Sequence, residues 1–84
     1  MKEIKDHERV ILERDLPDFG LCQGDLGTVV MVHREAGSVQ GDAAGFEVEF
    51  MTLDGETVGV TTLLPSDVRP IGKRDIPHVR QLGV

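Results

Sequence analysis

Apolar and polar residues alternate along most of this chain, and almost nowhere do apolar residues recur at helical spacing. Arg9-Val10-Ile11-Leu12-Glu13-Arg14 predicts a short strand with Val10 and Leu12 on one face. Proline and glycine break it at Asp15-Leu16-Pro17-Asp18-Phe19-Gly20. Gln23-Gly24-Asp25 is a turn. It leads into Leu26–His33, the strongest strand signal, rich in β-branched side chains. Gly27 inside that run predicts a bulge or a close approach of another backbone. Residues 34–45 carry three glycines and little hydrophobicity, and predict a mobile loop. Phe46-Glu47-Val48-Glu49-Phe50 alternates cleanly, so Phe46, Val48 and Phe50 face a core and both glutamates face water. Asp54-Gly55 predicts a hairpin with a primed turn, because such turns need positive φ. The return strand covers 56–63, Leu64-Pro65-Ser66-Asp67 reads as one helical turn, and Val68-Arg69-Pro70-Ile71 as a last short strand. Pro70 suits an edge.

The expected architecture is all-β: a small five-stranded barrel over 8–71 with a one-turn helix before the last strand. That layout resembles the SH3-like barrel. An OB-like barrel also has five strands, but it needs a helix between the third and fourth, where Asp54-Gly55 leaves no room. Residues 1–7 form an N-terminal extension and 72–84 a tail. In the tail, Ile76, Val79 and Leu82 fall three apart around Pro77. This spacing allows a short helix starting at the proline. Its apolar side chains would then cover an open end of the barrel, or dock on a partner or a second copy.

Charge sharpens the picture. The 84 residues carry a net charge of −6, and it is segregated. Residues 8–71 hold four basic residues against twelve acidic ones, a net −8, whereas 72–84 hold Lys73, Arg74 and Arg80 against Asp75, a net +2. Binding to a nucleic-acid backbone works by displacing counterions with basic groups, and the body is poor in them. A basic protein surface is the better electrostatic match. The length fits one domain. The one cysteine, Cys22, permits no internal disulfide, no apolar run approaches the roughly 20 residues of a membrane span, and the charged start has no signal-peptide core. A cytoplasmic location is expected.

Catalysis needs a convergent group of acids, bases or nucleophiles, and none is legible. Cys22 with His33 is the one thiol–imidazole pair to consider. A nucleophilic thiol wants positive neighbours, whereas Asp18 and Asp25 are negative, so a half-buried structural cysteine is expected. His7, His33 and His78 lack metal-ligand spacing, and Gly24 and Gly27 lack the lysine of a phosphate loop. No cofactor or metal is expected. Grooves for proline-rich peptides are lined with aromatic rings, but Trp and Tyr are absent and two of the three phenylalanines are assigned to the core. That leaves Leu16, Pro17, Asp18 and Phe19 as an apolar loop tip with acidic neighbours, and Glu47 and Glu49 as an acidic strand face. These are the candidate partner-binding residues, joined by Ile76, Val79 and Leu82 of the tail. For Leu16 and Leu21 the favoured expectation is that they fold beneath the barrel and leave Phe19 exposed.

Gly24-Asp25-Leu26-Gly27-Thr28-Val29-Val30 resembles the KOW motif of ribosomal and transcription-elongation proteins, although the basic residues that usually surround it are replaced by Asp18, Gln23 and Asp25. A broader resemblance joins Asp15–Leu21, Gln23–Val30, Phe46–Phe50 and Leu64–Ile71. Together these are similar to a family of short bacterial and cyanobacterial proteins catalogued as a domain of unknown function. That resemblance implies the barrel fold and an accessory role. The expected function is therefore a non-catalytic protein-binding module, such as an accessory subunit or an antitoxin- or immunity-like partner of another protein. A KOW-like nucleic-acid binder using Arg34, Lys73, Arg74 and Arg80 is the alternative, and homodimerisation through an edge strand is compatible with either.

Overall fold

The computed structural model describes residues 4–34 and 43–82. Five antiparallel strands form one sheet in the order β4-β3-β2-β1-β5. They are β1 (Arg9–Leu12), β2 (Leu26–Arg34), β3 (Ala43–Met51), β4 (Thr57–Leu63) and β5 (Val68–Pro70), with 3₁₀ turns at Pro17–Phe19 and Pro65–Asp67. The sheet is not closed: β4 and β5 are its two edges. The expected one-turn helix is the second 3₁₀ turn. Asp67 holds it by accepting the Leu64 N–H on Oδ2 at 3.0 Å.

Strand alternation places the core as expected. Val10, Leu12, Val29, Phe46, Val48, Phe50, Leu63 and Val68 are all buried on one side of the sheet, with Leu16 and Leu21 from the first connection beneath them. Two features of the β2–β3 register depart from simple alternation. Val29 pairs with Val48 and Met31 with Glu47, so Val30 is an extra residue on β2. This bulge puts Val32 on the core side, three residues after Val29, and it packs there against the buried cluster. A second irregularity between His33 and Arg34 accompanies an early start of β3. The expected loop over 34–45 is thus shorter. Arg34 belongs to β2 and Ala43–Gly45 to β3, while 35–42 lie outside the described residues.

The hairpin between β3 and β4 forms where Asp54-Gly55 predicted it, but not through a two-residue primed turn. Such a turn needs positive φ at both central residues. Here only Gly55 has it, at 92°. The connection runs from Thr52 to Glu56, closed by Thr52 N–H to the Glu56 carbonyl at 2.8 Å and Gly55 N–H to the Thr52 carbonyl at 3.0 Å. The Thr52 hydroxyl donates to Asp54, which organises the longer turn and removes the need for a second left-handed residue. Of the expected 1–7 extension, residues 4–7 are described and join the domain: His7 N–H donates to the Val29 carbonyl at 2.7 Å, and Ile4 packs against the core.

The expected bulge falls at Val30 instead, and the close approach at Gly27 is of side chains rather than of another backbone. A Cβ there would stand 2.5 Å from Val48 Cγ1 and 2.9 Å from the Phe50 ring. Gly59, paired with the other side of Phe50, would place a Cβ 2.8 Å from the Phe19 ring. The two neighbours differ in freedom: Val48 and Phe50 are fully enclosed, whereas Phe19 is 39% exposed. Gly27→Ala is therefore expected to cost about 1–3 kcal/mol of stability, as overpacking of a filled core does. Gly59→Ala should cost less, because Phe19 can swing outwards. Urea midpoints of the two variants give the order, and a Gly59→Ala loss equal to or greater than that of Gly27→Ala contradicts this account.

Candidate functional site

The connection between β1 and β2 is a folded structure of its own. Leu16 and Leu21 exchange two backbone hydrogen bonds, Leu16 N–H to the Leu21 carbonyl at 2.9 Å and the reverse at 3.1 Å. Pro17-Asp18-Phe19 turns between them, and Gly20 at φ 70° ends the turn. Both leucines point into the core. Leu16 was a candidate contact residue, but at 8% exposure it supports the loop from below instead. Pro17, Asp18 and Phe19 form the exposed tip. Phe19 is only partly free, since its ring lies over Gly59 of β4. A shallow groove runs beside it, with Pro17 and Asp18 on one wall and Thr61 and Thr62 of β4 on the other.

The acids of this loop have specific work. Asp15 Oδ1 accepts the Gln23 N–H at 2.8 Å, and Asp25 Oδ2 accepts the Cys22 N–H at 2.8 Å. Asp67, the buried acid of the second 3₁₀ turn, accepts Arg14 Nε on Oδ1 at 2.9 Å, which ties the end of β1 to that turn. Cys22 is exposed rather than half-buried as expected. Among the described residues no group of three or more His, Cys, Asp or Glu side chains is placed to hold a metal ion. No helix among them is long and apolar enough to cross a membrane.

The candidate acidic face lies elsewhere. Glu47 and Glu49 point away from the core that Phe46, Val48 and Phe50 fill, while Phe19 covers Gly59 on the core side. The loop tip and the two glutamates therefore sit on opposite sides of the sheet and make no single surface. Each glutamate has a neighbour: Glu47 stands 3.4 Å from His33 Nε2, and Glu49 accepts the Thr57 hydroxyl at 2.8 Å.

The tail departs furthest from expectation. Residues 76–82 form no helix, and Ile76 (87% exposed), Val79 (70%) and Leu82 (44%) do not cover the sheet. A segment this short does not nucleate a helix by itself, and Asp75, the residue that could cap one, is engaged by Arg69 and the Gly72 N–H instead. Charged residues hold the segment in place of apolar ones. Arg69 grips Asp75 with two guanidinium nitrogens, at 2.9 and 3.0 Å, and Asp75 also accepts the Gly72 N–H. Further on, Arg80 Nε donates to Asp25 Oδ1 at 2.8 Å, and its Nη2 donates to Asp25 Oδ2 at 2.6 Å and to the Gly20 carbonyl at 3.0 Å. The cationic tail thus lies against the anionic first connection.

No spacing rule could have paired Arg80 with Asp25 across 55 residues. The one signal in the sequence was the opposite net charge of body and tail. Of the four cations that a nucleic-acid reading would use, Arg80 is committed to Asp25, whereas Lys73 and Arg74 are exposed.

The chain matches the model of a domain of unknown function, DUF4926, over residues 6–70. It belongs to that family. Comparison with curated proteins and with solved structures returns no match. In this DUF4926 member the family stretch contains Gly20, Asp25 and Arg69, and it ends before Asp75 and Arg80. Both tail contacts therefore join a residue of the family domain to one beyond it.

Electrostatics sets the pH range of the latch. At Asp25, burial alone would raise the carboxyl pKa, but hydrogen bonds from Arg80 and the Cys22 N–H, with the charge of Arg80, together outweigh it and hold it below the usual value. At Asp75, hydrogen bonds from Arg69 and the Gly72 N–H lower it to about 2. Both pKa values are depressed, so each contact is complete above the unfolded carboxylate pKa of about 3.9 and is lost as pH falls through the folded one. Tail amides should therefore stay ordered at pH 5 and gain mobility only as pH falls below the ordinary carboxylate range, with the Asp75 contact persisting to near pH 2. Heteronuclear NOEs of residues 76–82 report this, and a tail equally mobile at pH 5 and pH 2.5 refutes the latch.

Proposed function

We propose that this chain is a non-catalytic protein-binding module that engages a cationic partner through the first connection, residues 15–25. The observation that carries the reading is the tail itself: a positively charged segment without helix or strand already meets that connection through Arg80, held by Asp25 and the Gly20 carbonyl. A surface that holds one such segment has the shape and charge to hold another. Pro17, Asp18 and the partly exposed Phe19 belong to the same connection and supply an apolar, acidic rim. Burial of Leu16 and Leu21 fixes the loop in advance, which lowers the ordering cost of binding.

The fold we infer is an SH3-like barrel with one open seam. Its supports are the pairing of first and last strands, the 3₁₀ turn before β5, and the curvature that the Val30 bulge and Gly27 introduce. An accessory or antitoxin-like role inside the cytoplasm fits this reading. The exposed free thiol of Cys22 is at home in a reducing compartment.

The test is affinity capture with the intact chain at low and high salt, alongside Asp18→Lys. Asp18 is exposed at the loop tip, so charge reversal should leave the urea midpoint nearly unchanged. It should reduce capture of a stoichiometric protein partner about tenfold, and added salt should do the same. No stoichiometric partner, or one indifferent to both salt and Asp18→Lys, counts against the reading.

A further inference from the structure

Asp25 and the Gly20 carbonyl form more than a patch of negative charge. Both carboxylate oxygens of Asp25 face the Arg80 guanidinium, and the Gly20 carbonyl takes a further bond from the nitrogen that reaches Oδ2. Three acceptors around one planar group match the donor fork of arginine, which the single point donor of lysine cannot fill in the same way. The acceptors are preset by the domain's own structure. The Cys22 N–H orients Asp25 through Oδ2, and Asp25 N–H closes the same turn on the Cys22 carbonyl at 3.0 Å. Gly20 is fixed by its N–H to the Pro17 carbonyl at 3.1 Å. All of these residues lie within the family stretch, and Arg80 lies outside it.

We propose that Asp25 and the Gly20 carbonyl constitute an arginine-recognition site for an extended, arginine-bearing segment of a partner protein, and that this chain's own tail occupies the site as an internal competitor. The proposal rests on the module reading and names the chemistry its partner must carry. Binding requires Arg80 to leave. Its departure frees residues 76–82, which already expose Ile76 and Val79 to solvent. The second anchor, Arg69 with Asp75, keeps the released tail tethered beside the site. The tail is thus positioned to re-enter once the partner leaves, since a tethered ligand competes at a high effective concentration.

The test adds a synthetic peptide of residues 72–82 to the full-length chain and follows the amide signals of Gly20, Cys22 and Asp25 by NMR. The Arg80→Ala chain should bind the peptide at least about tenfold more tightly than the unaltered chain, whose site is filled. A peptide carrying Arg80→Lys should bind the Arg80→Ala chain about tenfold more weakly than the parent peptide. Asp25→Asn combined with Arg80→Ala should abolish binding. Asparagine keeps an acceptor for the Cys22 N–H, and if that variant nonetheless unfolds, Arg80→Lys in the chain is the second handle, expected to admit the peptide nearly as well as Arg80→Ala. Equal binding to the unaltered and Arg80→Ala chains, equal binding of the arginine and lysine peptides, or no binding to Arg80→Ala overturns the proposal. A concentration-dependent dimer of the unaltered chain that disappears in Arg80→Ala also overturns it, by assigning the site to a second copy's tail. Partner capture that persists in Asp25→Asn while the peptide fails to bind rejects the arginine site and leaves the module reading intact.

Discussion

The packing around Phe50 is the constraint on which the rest of this small protein depends. Gly27 on β2 and Gly59 on β4 flank it in register, and neither could carry a methyl group without displacing a ring or a valine. On one side the missing side chain lets Val48 and the Phe50 ring close over β2. On the other it leaves a seat that Phe19 fills from the first connection. A connection that would otherwise be a free loop is thereby pinned to the far edge strand. A domain of this size has little core to spare. Seating an aromatic ring of the loop on a strand glycine uses area the sheet could not bury alone.

The placement of charge follows from that packing. With Phe19 seated and Leu16 and Leu21 buried, the turn at Gly20 and the turn over Cys22–Asp25 have fixed positions, and Asp25 is aimed by the Cys22 N–H. The excess of acid in the body is therefore not an undifferentiated cloud. Asp15, Asp25 and Asp67 accept backbone N–H groups at turns, two of them also bind an arginine, and Asp18 stays exposed at the tip. Ion pairs near water contribute little to stability, because both partners are well solvated when apart. Arg80 on Asp25 is consequently a contact that orders the tail without committing it, as an exchangeable occupant requires.

Much of the sheet was legible because its determinants are local. Alternation over 46–50 identified the core side of β3, the glycines marked close approaches and turns, and proline placed β5 at an edge. Features that depend on two distant segments were not legible. The Val30 bulge sits in a run of valines and methionine whose pattern is apolar throughout, so only pairing with β3 reveals which residue is extra. The turn after β3 hides its length, because Asp54-Gly55 serves a two-residue loop and a longer one equally well until Thr52 is seen to bond across it. The tail follows charge rather than apolar spacing: Arg69 holds Asp75, Arg80 holds Asp25, and Ile76, Val79 and Leu82 are left exposed.

The candidate site shows the same division. Its apolar tip was visible as Pro17, Asp18 and Phe19, but Leu16 was counted with them, since sequence spacing does not tell a leucine that anchors a turn from one that is offered to a partner. Glu47 and Glu49 satisfied the strand pattern and the charge argument together, yet the sheet places them on the side opposite the loop. What unites a site here is not proximity in sequence or likeness of charge but the ability to hold one geometry. Asp25 and the Gly20 carbonyl hold theirs because backbone hydrogen bonds fix both, and none of those bonds involves Arg80. Asp18 has the same charge and greater exposure, and without that fixed frame it serves the rim of the surface rather than the arginine. In a molecule with this much surplus acid, preorganisation separates a recognition site from solvated surface charge.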